Sequence, residues 1–351
     1  MREHFTKELN KKYNMAKMVG IMLGVILIIL LFVSTNLGRA DISIMDTIRV
    51  IFGKIIHNPD YYMGMKKAYV NIIWEIRLPR ILIAIIVGSG LAVSGAVFQS
   101  LLMNPLADSY TMGVSSGAAF GATLAIYINL FAENFYAPIT LFAFIGAFVT
   151  LLLVIYIAKV NGYLSSSNLI IAGIIVSSIL SAAIKLLKNF AGENVSAIVN
   201  WLMGSLASRS WSHVYVSFPI IIVCVLVCWY YSQDLNLLCL GENEARALGV
   251  DTQKIRRIFL ICGSLITAVC VAVSGVIGFI GLIVPHILRF SIGSDNRSLV
   301  PLSGILGALL LLLADTGARS LMNVEIPVGV LTTLLGGPFF IYIFVKKNKT
   351  L

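Results

Sequence analysis

The chain has 351 residues, 58% of them hydrophobic and 12% charged, and a net charge of +10. A soluble domain carries about 25% charged residues, so a mean hydropathy of +0.93 excludes a water-solvated fold and makes lipid the solvent. The chain has no basic stripe interleaved with aromatics on a soluble domain. Its positive charge therefore points to cytoplasmic loops and anionic lipid, not nucleic acid.

A helical span needs about 20 apolar residues. Apolar runs place spans at 16–36, 80–101, 112–130, 139–159, 168–188, 212–231, 256–276, 278–291, 299–318 and 327–345, the third and eighth short and broken. The expected fold is all-α: one polytopic transmembrane domain over residues 1–351. The basic stretch MREHFTKELNKKYNMAK precedes the first run, which is long for a signal peptide and lacks a clear cleavage site. It reads as a cytoplasmic tail, residues 1–15, before an uncleaved span. With about ten spans the C-terminal KKNKT and the loop 232–256 also fall inside, as the positive-inside rule prefers. The segment 37–79 contradicts that rule. It falls outside, yet carries Arg39, Arg49, Lys54, Lys66, Lys67 and Arg77.

The chain reads twice. RLPRILIAIIVGSGLAVSGAVFQSLLMNPLADSYTMG from Arg77 aligns without a gap to the stretch from Arg257, shifted by 180 residues, with 10 of 37 positions identical. These include Ala92–Gly95 with Ala272–Gly275, Pro105 with Pro285, and Gly113 with Gly293. Five spans separate the copies, so the expectation is an inverted repeat of spans 2–5 and 7–10, a recurrent transporter design. The prolines are expected to interrupt helices at membrane depth, as a pathway boundary or as packing alone.

Several chemistries are missing. The five cysteines, Cys224, Cys228, Cys239, Cys262 and Cys270, form no C-x-x-C, and His4, His57, His213 and His286 lack ligand spacing. No metal site, disulfide framework or bound cofactor is expected. No phosphate-cradling loop exists, since Gly53–Lys54 is followed by Ile55. Asp315 is the one acid embedded in an apolar run, and either pairs with Arg319 at i+4 or has a role in transport. A passive pore or a carrier energised by another polypeptide remains; an ion-coupled secondary carrier and a membrane scaffold are the competing classes. GENEARALGV, Gly241–Val250, then stands out as a short helix with a glycine stop at Gly249. It is too short to be stable alone in water. It is either a solvated connector or a helix that something holds.

Eight ordered blocks resemble the permease subunits of ABC importers for iron–siderophores, haem and vitamin B12. They are R-L-P-R at Arg77–Arg80, S-G-A-x-x-Q at Ser94–Gln99, N-P-L-A at Asn104–Ala107, G-x-x-x-G-A at Gly113–Ala118, A-x-x-L-G-V at Ala245–Val250, G-F-I-G-L-I-V-P-H-I-x-R at Gly278–Arg289, A-D-x-x-A-R at Ala314–Arg319 and I-P-V-G at Ile326–Gly329. The resemblance implies ten transmembrane helices and a dimer, with an identical or related permease copy, around a central path. It implies two cytoplasmic ATP-binding cassette subunits that carry ATP and magnesium, an extracytoplasmic binding protein, and a location in a prokaryotic plasma membrane. Ferric siderophore is the expected cargo, with haem or vitamin B12 as alternatives. It further implies ATPase coupling through Gly241, Glu242, Glu244, Ala245, Arg246, Leu248 and Gly249. Arg77, Arg80 and Arg319 would dock the binding protein's acidic side chains. Asn104 and Leu106 would form one cytoplasmic gate, and Ser165 and Ser166 a second.

Overall fold

The computed structural model describes residues 2–348 except 39, 41, 133–134, 161 and 321–324; of residues 2–12, 342–344 and 346–348 only the backbone is described. Arg39 and the end of the KKNKT tail lie outside the described residues. In chain order the helices begin with α1 (Arg2–Asn36) and α2 (Ile44–Ile56). A 3-10 turn (Pro59–Tyr62) leads to α3 (Lys67–Asn71), which runs through a π turn (Ile72–Arg77) into α4 (Leu78–Leu101). Then come α5 (Val114–Phe131), α6 (Ile139–Ala158), a ladder of β1 (Lys159–Val160) with β2 (Tyr163–Leu164), α7 (Ser166–Phe190), α8 (Val195–Leu202) and α9 (Trp211–Tyr230). The chain closes with α10 (Ser232–Leu238), α11 (Glu242–Ala247), α12 (Thr252–Ser274), α13 (Ile280–Ile292), α14 (Asn296–Ser320) and α15 (Val328–Asn348).

Among the described residues eight helices are long and apolar enough to cross a membrane, and α13 and α15 supply two shorter apolar ones. The expected tail 1–15 is not a separate element, because α1 starts at Arg2. The bundle is built around α4. Its most apolar window is 83% buried, against 17% for α1 at the edge. A helix apolar all round belongs in the middle of such a bundle, and α4 is flanked by α14, α12, α13 and α9.

The repeat is visible in the packing. α4 lies on α14 as α12 lies on α6; α13 touches α4 as α5 touches α12; α5–α6 and α13–α14 are matching hairpins. Direction follows from side-chain contacts. Ser166 Oγ donates to Leu101 O at the end of α4, and Leu164 N donates to Gln253 Oε1 at the start of α12. The end of one copy's first helix and the start of the other's meet the same short loop, so the copies run in opposite directions.

Symmetry breaks inside the shared AVSG block. Gly95 is helical and sits against the Gly281 backbone, so closely that a Cβ would collide with it. Gly275 has φ +69 and ends α12. The segment 275–279 is unwound, and Phe279 also has positive φ. The expectation that Pro105 and Pro285 interrupt helices needs correction. Pro105 lies in the loop after α4, whereas Pro285 sits inside α13. Proline removes the N–H that would reach the carbonyl four residues back. That carbonyl, Gly281 O, instead accepts from Gln99 Nε2 at 3.1 Å, so α13 continues past Pro285.

Candidate functional site

One end of the bundle gathers α10–α11, the ladder, the end of α4 and the starts of α12 and α14. Ser100 Oγ bonds Asn296 Oδ1 at 2.9 Å, and Asn236 Nδ2 bonds Asp295 Oδ1 at 2.8 Å. α11 is held there from two directions. Ala245 has no exposed surface and belongs to the main core. The Glu242 carboxylate accepts from Arg246 Nη2 at 2.6 Å, Gln253 Nε2 at 3.0 Å and Thr252 Oγ1 at 3.3 Å, and faces Arg256 Nη1 at 3.6 Å. Burial pushes the Glu242 carboxyl upward, but the Gln253 bond and the Arg256 and Arg246 charges outweigh it and hold it below its ordinary value. The helix stops at Gly249, φ +87, where Val250 N returns to Ala245 O at 3.0 Å. This left-handed stop satisfies carbonyls that would otherwise be orphaned.

The residues expected to couple to an ATPase therefore divide by face. Gly241 and Gly249 bracket the helix, and Glu242 and Ala245 point into the protein. Glu244 and Leu248 point out, Leu248 being 61% exposed beside Leu240 at 64%, while Arg246 lies along the edge, bonded to Glu242 and Thr252. Ala245 is a seat for α11 on its own chain, not an outward contact.

Of the two loops expected to gate the path, the ladder loop touches α11 and the loop after α4 adjoins the ladder loop. Asn104 Oδ1 accepts from Leu106 N at 2.9 Å, folding the loop after α4 so that Leu106 is exposed. Ser165 Oγ caps α7 by accepting from Asn168 N at 3.2 Å. Ser166 binds Leu101 O and so joins the two loops. Arg256 donates to Leu164 O, and the Arg246 guanidinium lies 5.7 Å from the Tyr163 ring. α11, the ladder, α12 and the end of α4 are thus one contiguous set of contacts.

Arg77, Arg80 and Arg319 sit together at the opposite end, buried to 5%, 9% and 8% exposure. Arg80 binds Asp315 through Nε at 3.0 Å and Nη2 at 2.9 Å, and reaches Glu325 at 3.2 Å. Asp315 also faces Arg319 at 3.7 Å, so the i+4 pairing is present, but its closer partner is Arg80. Arg77 donates to Thr35 O at 2.8 Å and Ala40 O at 2.7 Å; Arg319 donates to Ser34 O and to Leu37 O. These are the last carbonyls of α1 and of the chain just after it. In place of free guanidinium groups awaiting a partner's acids, this end presents a cluster bonded within the chain, with Arg319 Nε the one nitrogen of the three guanidinium groups that is buried without a hydrogen bond to the described residues. A docking role for any of the three requires these bonds to be exchanged.

A cavity of about 550 Å³ lies at the unwound segment 275–279, which the sequence reading did not place. Its wall includes Tyr110, Met203, Phe279, Val330 and Thr333, mostly apolar surface with one carboxylate, Asp108. Asp108 Oδ1 accepts from Tyr110 N at 2.9 Å and Thr111 N at 3.0 Å. The available signal was the glycine-rich run Gly275–Gly281, which permits backbone outside a helix at bilayer depth only beside protein or a cavity. Among the described residues no three metal-ligating side chains come together.

Comparison with known proteins bears on the whole chain. The model of the FecCD transport family matches residues 26–346. The cobalamin import permease BtuC of Halobacterium salinarum is 40% identical over 81% of this chain and 76% of its own. The molybdate import permease MolB of Haemophilus influenzae is 37% identical over 93% and 95%. A solved inward-facing conformation of a metal-chelate type ABC transporter aligns with a TM-score of 0.79 at 34% identity, covering 94% of this chain and 99% of that one. The helical bundle with its opposed repeats and these full-length matches agree: the chain belongs to the FecCD transport family, as the permease of an ABC importer, whose partners are ATPase subunits and a binding protein.

Proposed function

We propose that this permease carries a metal complex from an extracytoplasmic binding protein into the cytoplasm, with ferric siderophore as first candidate and haem or cobalamin next. The observation that carries the mechanism is α11, whose outer face is exposed while its Glu242 binds Gln253 of α12, which in turn binds the ladder at Leu164, next to the Ser166 bond to the end of α4. An ATPase pushing on Glu244, Arg246 and Leu248 would move the ladder and the end of α4 together. In this reading α11 and both termini lie in the cytoplasm. Two ATPase subunits grip a dimer of permeases, ATP and magnesium stay on the ATPases, and the Asp108 cavity lines the path. The match to a metal-chelate type transporter supports a chelated metal as cargo; a relative named for cobalamin falls within that class, and one named for molybdate, an oxyanion, falls outside it. Pairing of Asp315 with Arg80 argues against its serving as the proton carrier of a secondary transporter.

The test is uptake by proteoliposomes holding the permease, its ATPase and its binding protein. Ferric hydroxamate, haem, cobalamin and molybdate are offered in turn. Accumulation of the ferric complex that requires internal ATP is expected. Accumulation driven by an ion gradient alone overturns the mechanism, and ATP-driven uptake of another cargo only overturns the cargo.

A further inference from the structure

We infer that α2 lies in the plane of the bilayer surface, its apolar stripe inserted at the boundary between headgroups and acyl chains on the side opposite α11. This inference rests on the chain spanning a bilayer, not on what it carries. Between α1 and α4 the chain could simply turn over in water. Instead it forms a thirteen-residue helix with both ends fixed: Ser43 Oγ accepts from Asp46 N at 3.1 Å, and His57 closes it with φ 60.

The helix has two different sides. Thr47, Val50 and Gly53 are buried, and Val50 joins Ile42, Val70 and Ile73 in a small core of its own. Thr47 Oγ1 donates to Asn36 Oδ1 at 3.1 Å, pinning α2 to the end of α1. On the other side Ile44, Ile48, Phe52 and Ile55 recur at helical spacing, with Met45 and Ile56 beside them, all exposed. Ile44 and Ile55 are 62% and 63% exposed. Asp46, Arg49 and Lys54 border the buried strip, and an apolar stripe set off from charged residues on one short helix is the signature of an interfacial helix.

Three observations select lipid as the occupant. The end of α1, to which α2 is pinned, and the residue just after it also leave apolar side chains outward, with Phe32, Val33 and Leu37 exposed. The helix is tied to the ends of two spans, α1 and α4, so its height is that of the membrane surface. Its surroundings carry the residues that favour that depth. Lys54 lies 5.7 Å from the Tyr62 ring and Lys66 5.6 Å from Tyr69, while Trp74 and Trp211 pair at 4.9 Å on the same end. Lysines with aromatic neighbours place an apolar stem in the interface and an ammonium at the phosphates. Arg49, Lys54, Lys66 and Lys67 of segment 37–79 then anchor lipid headgroups, while Arg77 is taken up by carbonyls of the chain, which accounts for their defiance of the positive-inside rule.

The test uses the full transporter in liposomes. p-Benzoylphenylalanine at Ile48 or Ile55 is irradiated and the permease mass is read, with the same probe at Asp60 as the reference. One phospholipid adduct at 48 and 55, several-fold above that at 60, is the expected result. Crosslinking to a second permease or to the binding protein, or equal adducts at all three positions, overturns the inference. Should these variants not assemble, Phe52→Trp gives a second reading. Its added emission should be quenched by brominated acyl chains and not by aqueous iodide; the reverse pattern overturns the inference.

Discussion

Arg80 grips Asp315 with two nitrogens, Nε at 3.0 Å and Nη2 at 2.9 Å, across the antiparallel pair α4 and α14. Asp315 has no exposed surface. Breaking a buried pair by removing one partner costs about 3–5 kcal/mol, whereas replacing both with apolar residues is often neutral. Arg80→Ala should therefore lower the melting temperature of the purified permease sharply, and Arg80→Leu with Asp315→Leu should recover much of it. Arg319 at 3.7 Å from the same carboxylate moderates the single loss. Equal melting of Arg80→Ala and the parent would show that the pair carries no weight.

The same cluster completes α1. The final four carbonyls of a helix lack intrahelical partners. Here Val33 O is taken by Leu37 N, Ser34 O by Arg319, and Thr35 O by Arg77. Arg77→Ala removes the donor from three carbonyls, Thr35 O, Asn36 O and Ala40 O, at about 1–3 kcal/mol for each buried group left unsatisfied. Protease nicking of the segment after α1 should accelerate in that variant. This also bears on glutamate substitutions at Arg77, Arg80 and Arg319 meant to probe binding-protein docking. They should unfold this end first, so loss of docking is meaningful only where melting is unchanged.

Gly95 offers a packing test. A Cβ there meets the Gly281 backbone, which cannot swing aside as a side chain can, whereas a Cβ at Gly24 of α1 meets nothing within 4 Å. Gly95→Val should cost about 1–3 kcal/mol or more through overpacking, and Gly24→Ala should be near neutral. Thermal melts in detergent compare the two.

Glu242 sets a pH dependence. Its carboxyl lies below its ordinary value in the folded chain. A depressed carboxyl contributes stability that is fully present above its unfolded value, about 4.3. That contribution is lost as pH falls through the folded value. Between pH 7 and pH 3.5 the parent should lose more melting temperature than Glu242→Gln, which has no charge to neutralise. Parallel losses would remove Glu242 from the account of how α11 is held.

Much of this was legible because spans are written in hydropathy, and opposed copies in the order of one repeated block. What was hidden depends on contacts between distant residues. Nothing near Pro285 signals that Gln99 will take the carbonyl it frees. The identical AVSG blocks meet different neighbours: Gly95 meets Gly281, and Gly275 meets the backbone of Trp201 and Gly204. Identity there reports duplication and not conformation. Basic residues at span ends look alike whether they reach water or, as with Arg77, carbonyls 42 residues away. α2 was missed because a thirteen-residue apolar pattern is too short to span and its stripe faces away from the protein. For α11 the sequence showed the helix and its glycine stop, but not which residues face inward.

That division makes the central claim testable at one side chain. The Leu248 side chain makes none of the bonds that hold α11 and the residue is 61% exposed, so Leu248→Asp should leave folding intact. The decisive measurement is capture of the ATPase by purified Leu248→Asp permease, with its melting temperature as the control on folding. The account predicts unchanged melting, at least a tenfold loss of captured ATPase, and loss of ATP-driven uptake. Full ATPase capture and full uptake by this variant would contradict the claim that α11 is where the energy enters.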